Sequence, residues 1–143
     1  MGGQTILEGD FWQKHAEKHL MDKFGAEVLG KMFGDKSKQE QNRMATYGAK
    51  TIDEANETAK KLSAISLVSV DDPPILMTYS MKPDAKVPDN PKKIRGWFVH
   101  HVDFGIALKN KTDKLGLEAY LKYPGEETKY KSLVEFFVDK LFD

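Results

Sequence analysis

The chain has 143 residues, with 22 Lys and Arg against 22 Asp and Glu and no cysteine, so its formal net charge is zero. This length suits one domain of about 100–200 residues, and the balanced charge lacks the basic excess of a nucleic-acid binder. The absence of cysteine excludes disulfides, thiolate catalysis and cysteine-ligated zinc. No apolar run approaches the ~18 residues that a membrane helix needs. We therefore expect a soluble globular chain that contacts neither nucleic acid nor membrane.

Targeting signals are missing from the first residues. Residues 1–6, Met-Gly-Gly-Gln-Thr-Ile, lack the basic region and the long apolar run of a secretory signal. They also lack the N-myristoylation pattern, because Ile6 stands where that pattern has Ser or Thr. If Met1 is the true start of the protein, we expect it to be cytoplasmic.

The first half of the chain, residues 1–70, is predicted to be a mainly helical excursion, that is, a helical segment that precedes the strands and lies outside the sheet. Asp10 is a candidate N-cap, Gly25 is a candidate helix stop, and a second helical piece ends at Gly34. The polar stretch 35–42 is interpreted as a loop or an exposed helical turn. Residues 51–54, Thr-Ile-Asp-Glu, match a capping box, in which the threonine hydroxyl accepts an amide hydrogen bond while the glutamate reaches back.

Residues 71–143 have the order strand, helix, strand, helix. The run 75–79 is almost continuously apolar, which is typical of a buried parallel strand, and 118–123 alternates like a second strand. This order predicts an α/β fold with a small parallel βαβ sheet, right-handed, and helices against it. We expect one domain, residues 1–143, that contains both the excursion and this unit.

The segments between and after the strands complete the prediction. A long loop rich in Pro, Lys and Asp is expected over 82–95. Apolar residues at helical spacing predict a helix over 104–115 that ends at Gly116, where a helix-terminating glycine belongs. Residues 130–141 are predicted to form a strongly amphipathic last helix.

A set of short motifs runs through the second half: Asp71–Tyr79, His100, His101, Phe104-Gly105, Leu108-Lys109 and Leu115-Gly116. This set resembles the C-terminal part of α/β-hydrolases, in particular the esterase/lipase-like group that includes feruloyl- and acetylxylan-type carbohydrate esterases. The start, Gly3-Gln4-Thr5 followed by Asp10-Phe11-Trp12, resembles the exit from an inner strand into that family's excursion. The resemblance implies ester hydrolysis by a Ser-Asp-His triad.

Two parts of that family's catalytic machinery are missing from the sequence. The chain contains no Gly-x-Ser-x-Gly, the elbow that presents the nucleophile. The loop after the second strand, residues 124–128, reads Pro-Gly-Glu-Glu-Thr and has no histidine, which is the family's last triad member. The resemblance therefore implies a truncated hydrolase, or one whose missing half comes from elsewhere.

Five residues, one of them a fallback, are candidates for catalysis near the carboxyl edge of the predicted sheet. The resemblance places Asp84, before Val87-Pro88, at the position of the triad acid, with Asp89 as the fallback; the alternative is a solvated loop aspartate. His100 or His101 is a candidate general base; the alternative is packing at a helix start. Ser80 ends the first strand but lacks the elbow glycines, so it is a remote candidate nucleophile.

His15 and His19 have the i, i+4 spacing of helical metal ligands. The pair lacks the His-Glu-x-x-His pattern and any evident third ligand, and two ligands leave a tetrahedral zinc site half filled. We therefore expect no metal and no cofactor, and interpret the pair as part of an exposed helix face.

Two functional hypotheses follow from the sequence. The first is weak or partner-dependent hydrolysis of a small ester at Asp84 and His100 or His101. The alternative is a non-catalytic fragment or oligomeric interaction module on the hydrolase scaffold. Because a small sheet exposes strand edges and zero net charge does not oppose association, we expect a homodimer or higher homo-oligomer. The predicted contacts are sheet edges or Trp97, Phe98 and Phe136.

Overall fold

The computed structural model describes residues 6–142 and shows a mixed α/β fold that is mostly helical. These residues form two compact units that divide between Leu67 and Val68, close to the predicted change of character at residue 70. Whether they act as a single domain stays a prediction. Among the described residues, no helix is long and apolar enough to cross a membrane. The part of the hydrolase resemblance carried by Gly3-Gln4-Thr5 lies outside the described residues.

The N-terminal unit, Ile6–Leu67, consists of helices joined by short connections. Glu8 anchors the segment before the first helix to the end of this unit. Its carboxylate accepts hydrogen bonds from the Ser63 hydroxyl at 2.7 Å and the Ser66 hydroxyl at 2.6 Å. The helices are α1 (Gly9–Phe33), α2 (Lys36–Tyr47), α3 (Ile52–Leu62) and α4 (Ala64–Leu67).

One sequence prediction for this unit is wrong. Asp10 is not an N-cap, because α1 already begins at Gly9. Of the two alternatives for the polar stretch 35–42, the structure shows the exposed helical one: the stretch forms most of α2, because the Asp35 carboxylate caps it, accepting the Lys38 N–H at 2.9 Å. Its Lys, Gln and Glu residues are strong helix formers, so it needs little apolar burial to be helical.

Other predicted boundaries are confirmed. Gly25 interrupts the helical backbone of α1 with φ of 69°, a conformation that favours glycine, and Gly34 follows the last residue of that helix. The Thr51 hydroxyl accepts the Glu54 N–H at 3.2 Å, as the capping box requires. The Glu54 carboxylate accepts instead from the Lys50 N–H at 2.8 Å, one residue before the threonine.

The C-terminal unit begins at Val68 and contains a two-stranded parallel sheet with helices between and after the strands. The parallel pairing confirms the predicted arrangement. The register places Ile75 beside Ala119 and Thr78 beside Lys122. The elements are β1 (Ile75–Thr78), α5 (Pro91–Val99), α6 (Asp103–Leu115), β2 (Ala119–Lys122) and α7 (Leu133–Phe142).

Helix α6 packs directly on the sheet at Gly105. A Cβ atom built on this glycine would lie 2.7 Å from Leu121 Cδ1 and would also collide with the Tyr79 ring. Tyr79 and Leu121 are themselves buried. The absence of a side chain at this position therefore sets the distance between helix and sheet.

Two helices differ from the sequence prediction. Helix α5 lies partly in the predicted loop, because Asn90 caps it by accepting the Lys92 N–H at 3.0 Å and Pro91 is favourable at the first helical position. Helix α7 begins at Leu133 and not at residue 130. The Ser132 hydroxyl accepts the Glu135 N–H at 3.1 Å there and thus acts as its cap.

Candidate functional site

The loops that follow β1 and β2 approach each other at the carboxyl edge of the sheet. The ammonium group of Lys82 lies 3.9 Å from where a Cβ atom of Gly125 would be. Ser80 and Asp84 belong to the first of these loops, and both are exposed. Neither makes a hydrogen bond or ion pair within residues 6–142, so the structure gives them no contact with either candidate histidine. The fallback acid Asp89 is exposed just before α5.

The two adjacent histidines have opposite environments. His100 ends α5, is exposed, and donates its backbone N–H to the Gly96 carbonyl at 3.2 Å. His101 is 0% exposed; its Nδ1 accepts the Asp103 backbone N–H at 3.3 Å, and the Asp103 carboxylate lies 3.5 Å away. The imidazole also packs against the Trp97 ring, with 4.7 Å between centroids. A substrate in solvent cannot reach the His101 ring in this arrangement.

The candidate metal ligands on α1 lie side by side. The His15 and His19 rings meet edge to face with 4.8 Å between centroids, and His15 also stacks on Phe11 at 5.9 Å. His15 is buried, whereas the sequence interpretation placed the pair on an exposed face. One helix supplies at most two ligands here, and the expectation of no stoichiometric zinc stays a prediction.

A charged network that the sequence patterns did not predict lies on the inner side of α7. Asp139 accepts a hydrogen bond from the Tyr130 hydroxyl and lies 2.9 Å from the Lys129 ammonium. One residue later, Lys140 pairs with Glu118 at 2.8 Å, at the entrance of β2. The Glu118 carboxylate also accepts from the Tyr120 hydroxyl at 2.5 Å. These contacts join β2, the segment before α7, and α7 itself.

The network shifts the pKa values of its members in opposite directions. The Tyr130 hydroxyl, and then Lys129, lower the pKa of Asp139 well below its usual range. Lys140, and then Tyr120, lower the pKa of Glu118. The hydrogen bond to the Glu118 carboxylate raises the pKa of Tyr120 to about 12. At neutral pH these shifts keep Asp139 and Glu118 charged and keep the Tyr120 hydroxyl protonated as a hydrogen-bond donor, so the contacts that hold α7 in place persist.

Lowering the pH should weaken this network by protonating Asp139. Because the pKa of Asp139 is lower in the folded chain than in the unfolded one, its contribution is complete above the ordinary aspartate pKa of about 4 and is lost as the pH falls below it. We expect the melting temperature of Asp139→Asn to be lower than that of the wild type at pH 6. The gap between the two melting temperatures should narrow towards pH 2. Circular dichroism melts across this range measure the gap.

The matched control for the acid experiment is Glu127→Gln. Glu127 is exposed and, in the part of the chain that the structure describes, forms no hydrogen bond or ion pair. Its variant should follow the wild-type melting profile. A gap between Asp139→Asn and the wild type that is equally large at pH 2 and pH 6 would contradict the assigned role of Asp139.

Helix α7 presents an uncharged apolar surface to solvent. Phe136 is its buried side chain, and Asp139 and Lys140 lie on the same side of the helix as Phe136. The opposite half of the helix carries large apolar residues that are each 48–83% exposed. We call this half the outer face; its members are Leu133, Val134, Phe137, Val138, Leu141 and Phe142.

The structure corrects the predicted oligomer contacts. Trp97, Phe98 and Phe136 are only 7%, 3% and 5% exposed, so they belong to the core and offer no contact surface. The periodicity of residues 130–141 revealed an amphipathic helix but not which side faces inward. In the structure, the polar partners of Asp139 and Lys140, which are Tyr130 and Glu118, identify the inner side.

Comparisons with protein-family models, with curated proteins and with solved structures found no match to this chain. Functional inference therefore depends on the chain's own residues.

Proposed function

We propose that this protein is a non-catalytic interaction module on an α/β-hydrolase-like scaffold, and that it associates with a second copy of itself through the outer face of α7. The observation that carries the proposal is the orientation of this helix. Its charged side chains contact its own unit, while its apolar side chains face solvent. Apolar surface exposed in this way marks a contact site.

The size of the outer face suits a dimer. Its six large apolar residues are each 48–83% exposed and lie on one half of a single helix, so they form a contiguous apolar patch of the kind that marks contact sites. A symmetric pair would cover both copies of this face, and stable interfaces bury about 1,200–2,000 Å² in total. A two-fold pair also needs only one self-complementary patch.

The charges favour a second copy over a membrane surface. Helices that lie on membranes use free Lys and Arg beside the apolar face to bind anionic lipid. Here Lys140 pairs with Glu118 and Lys129 pairs with Asp139, so these two cations are neutralised within the chain. Lys131, just before α7, is the single lysine of the segment 129–142 whose ammonium forms no ion pair among the described residues. Zero net charge leaves little repulsion between copies.

Catalysis is the weaker proposal for this chain. Ester hydrolysis, the activity implied by the resemblance, needs a base and an orienting acid in contact. Asp84 is exposed and makes no polar contact among residues 6–142, and the His101 ring is fully buried. Ester hydrolysis stays a prediction of the resemblance, whereas the outer face supports association.

Charge placed at the centre of the outer face should abolish association. Val134 and Leu141 are both 71% exposed there, so Val134→Lys combined with Leu141→Lys removes little core packing. We expect the wild type to be dimeric at tens of micromolar and the double variant to be monomeric, with similar melting temperatures. Sedimentation equilibrium measures the association constant.

The control pair for this experiment lies in the other unit. Leu62 and Leu67 are exposed to a similar extent, 59% and 61%, but belong to α3 and α4. Leu62→Lys with Leu67→Lys should leave the dimer intact. A monomeric wild type, including one that binds anionic vesicles through α7, would refute the proposal, as would equal loss of dimer in both double variants.

A further inference from the structure

The outer edge of β2 pairs with no further strand among the described residues. Ile75 N–H donates to the Glu118 carbonyl at 3.0 Å, and Tyr79 N–H donates to the Lys122 carbonyl at 2.8 Å. Successive peptide groups of a strand point in opposite directions, so the N–H and C=O groups of Ala119 and Leu121 point away from β1. Within residues 6–142, β1 is the one strand that pairs with β2.

A groove of about 500 Å³ lies at β2 and is lined by residues of β2, of α6 and of the segment that follows β2. Its volume falls within the 300–1,000 Å³ of ligand pockets. Ala119, Leu121 and Ile106 give it an apolar lining, and charged groups stand at its rim. Strand β2 spans about 13 Å, so an added strand of about four to six residues would match it.

The rim charges decide which kind of peptide fits. Lys109 lies 2.5 Å from the Asp113 carboxylate, and Lys129 lies 2.9 Å from that of Asp139, so both ammonium groups are neutralised. Glu127, also at the rim, is exposed and has no hydrogen-bond or ion-pair partner in the described part of the chain. The unbalanced charge at the rim is therefore negative.

We propose that this edge binds an extended peptide segment of another protein as an added strand. The segment carries small apolar side chains towards Ile106 and a Lys or Arg towards Glu127. Main-chain hydrogen bonds to Ala119 and Leu121 supply most of the affinity, and the side-chain alternation of a strand supplies the selectivity. This surface is separate from the outer face of α7, so the proposal does not depend on self-association.

Amide hydrogen exchange provides a residue-specific test. The probes are Ac-Lys-Val-Thr-Val-Thr-Val-NH₂ and Ac-Val-Thr-Val-Thr-Val-Lys-NH₂, which place the lysine near Glu127 in antiparallel and parallel addition respectively. We expect one of them, at saturation, to slow exchange at Ala119 and Leu121 at least tenfold. Exchange at Tyr120 and Lys122 should not change, because their peptide groups face β1.

Methylation of the backbone amides of the probe peptide distinguishes strand addition from binding through side chains alone. Methyl groups on the peptide amides that face β2 should abolish binding, whereas methyl groups on the alternate amides should leave the affinity within about threefold. Equal loss with both methylation patterns would overturn the proposal, because a peptide held only by its side chains would not distinguish them.

Charge reversal tests the assigned role of Glu127. The same peptide with Glu in place of Lys should bind the wild type at least tenfold more weakly, and Glu127→Lys should reverse that preference. Glu57→Lys, an exposed position on α3, should leave it unchanged. Three further results would each overturn the proposal. The first is that no peptide concentration up to millimolar slows the exchange of the Ala119 and Leu121 amides in a saturable way, and the second is that these amides are already as protected as that of Tyr120 in the free protein. The third is that the Lys peptide and the Glu peptide bind the wild type with equal affinity.

Discussion

Gly105→Ala should lower the free energy of unfolding by about 1–2 kcal/mol, because the new methyl group has no room and overpacking of this kind costs up to about 3 kcal/mol. It would lie 2.7 Å from Leu121 Cδ1 and closer still to the Tyr79 ring. Both neighbours are buried, so neither can move aside without disturbing the sheet. Urea unfolding followed by circular dichroism measures the change. The usual helix-propensity gain of Ala over Gly, about 1 kcal/mol, is already subtracted.

Gly96→Ala is the matched control for that substitution. Gly96 lies inside α5 and is exposed, and a Cβ atom built there meets no heavy atom within 4 Å. The same change should therefore stabilise the chain by about 0.5–1 kcal/mol. If both variants shifted stability in the same direction, the close approach of α6 to the sheet at Gly105 would be wrong.

Phe136→Ala should cost about 3–5 kcal/mol, as expected for the truncation of a buried phenylalanine. Phe136 is the buried side chain of α7, and its ring meets Tyr130 at 5.2 Å and Tyr120 at 6.3 Å between centroids. Its removal leaves a cavity beneath the helix and weakens the support for the charged network. Equilibrium unfolding measures the loss.

The neighbouring residue provides an internal comparison. Phe137 is 48% exposed and belongs to the outer face, so Phe137→Ala should change the stability of the monomer by less than about 1 kcal/mol. It should instead weaken self-association. Similar unfolding energies for the two alanine variants would show that α7 does not dock through Phe136.

Local patterns in the sequence predicted much of the C-terminal unit. The apolar run at 75–79 and the alternation at 118–123 correspond to β1 and β2, and Gly116 ends α6 as expected. These features depend on residues close together in the chain. Helix α5 was missed because its few apolar residues follow a proline-rich stretch, and only the caps at Asn90 and Pro91 reveal its start.

The candidate site could not be derived in the same way. The sequence cannot show that Asp84 stays in solvent while the His101 ring is buried, because both outcomes depend on packing by distant residues. Likewise the inner side of α7 is fixed by Glu118, which lies more than twenty residues before Lys140. A helical wheel that counts only hydrophobicity assigns the wrong side to the core.

The parallel pairing of β1 and β2 determines the order in which this unit can fold. Ile75 pairs with Ala119, so the chain must close a loop of more than forty residues before the first inter-strand hydrogen bond forms. Helix α6, whose contacts are local, can form within that loop on a much shorter timescale. Tyr79 and Leu121 can then pack against α6 at Gly105. Because this packing requires the long loop to close, we expect docking of the strands on α6 to be the slow, topology-limited step.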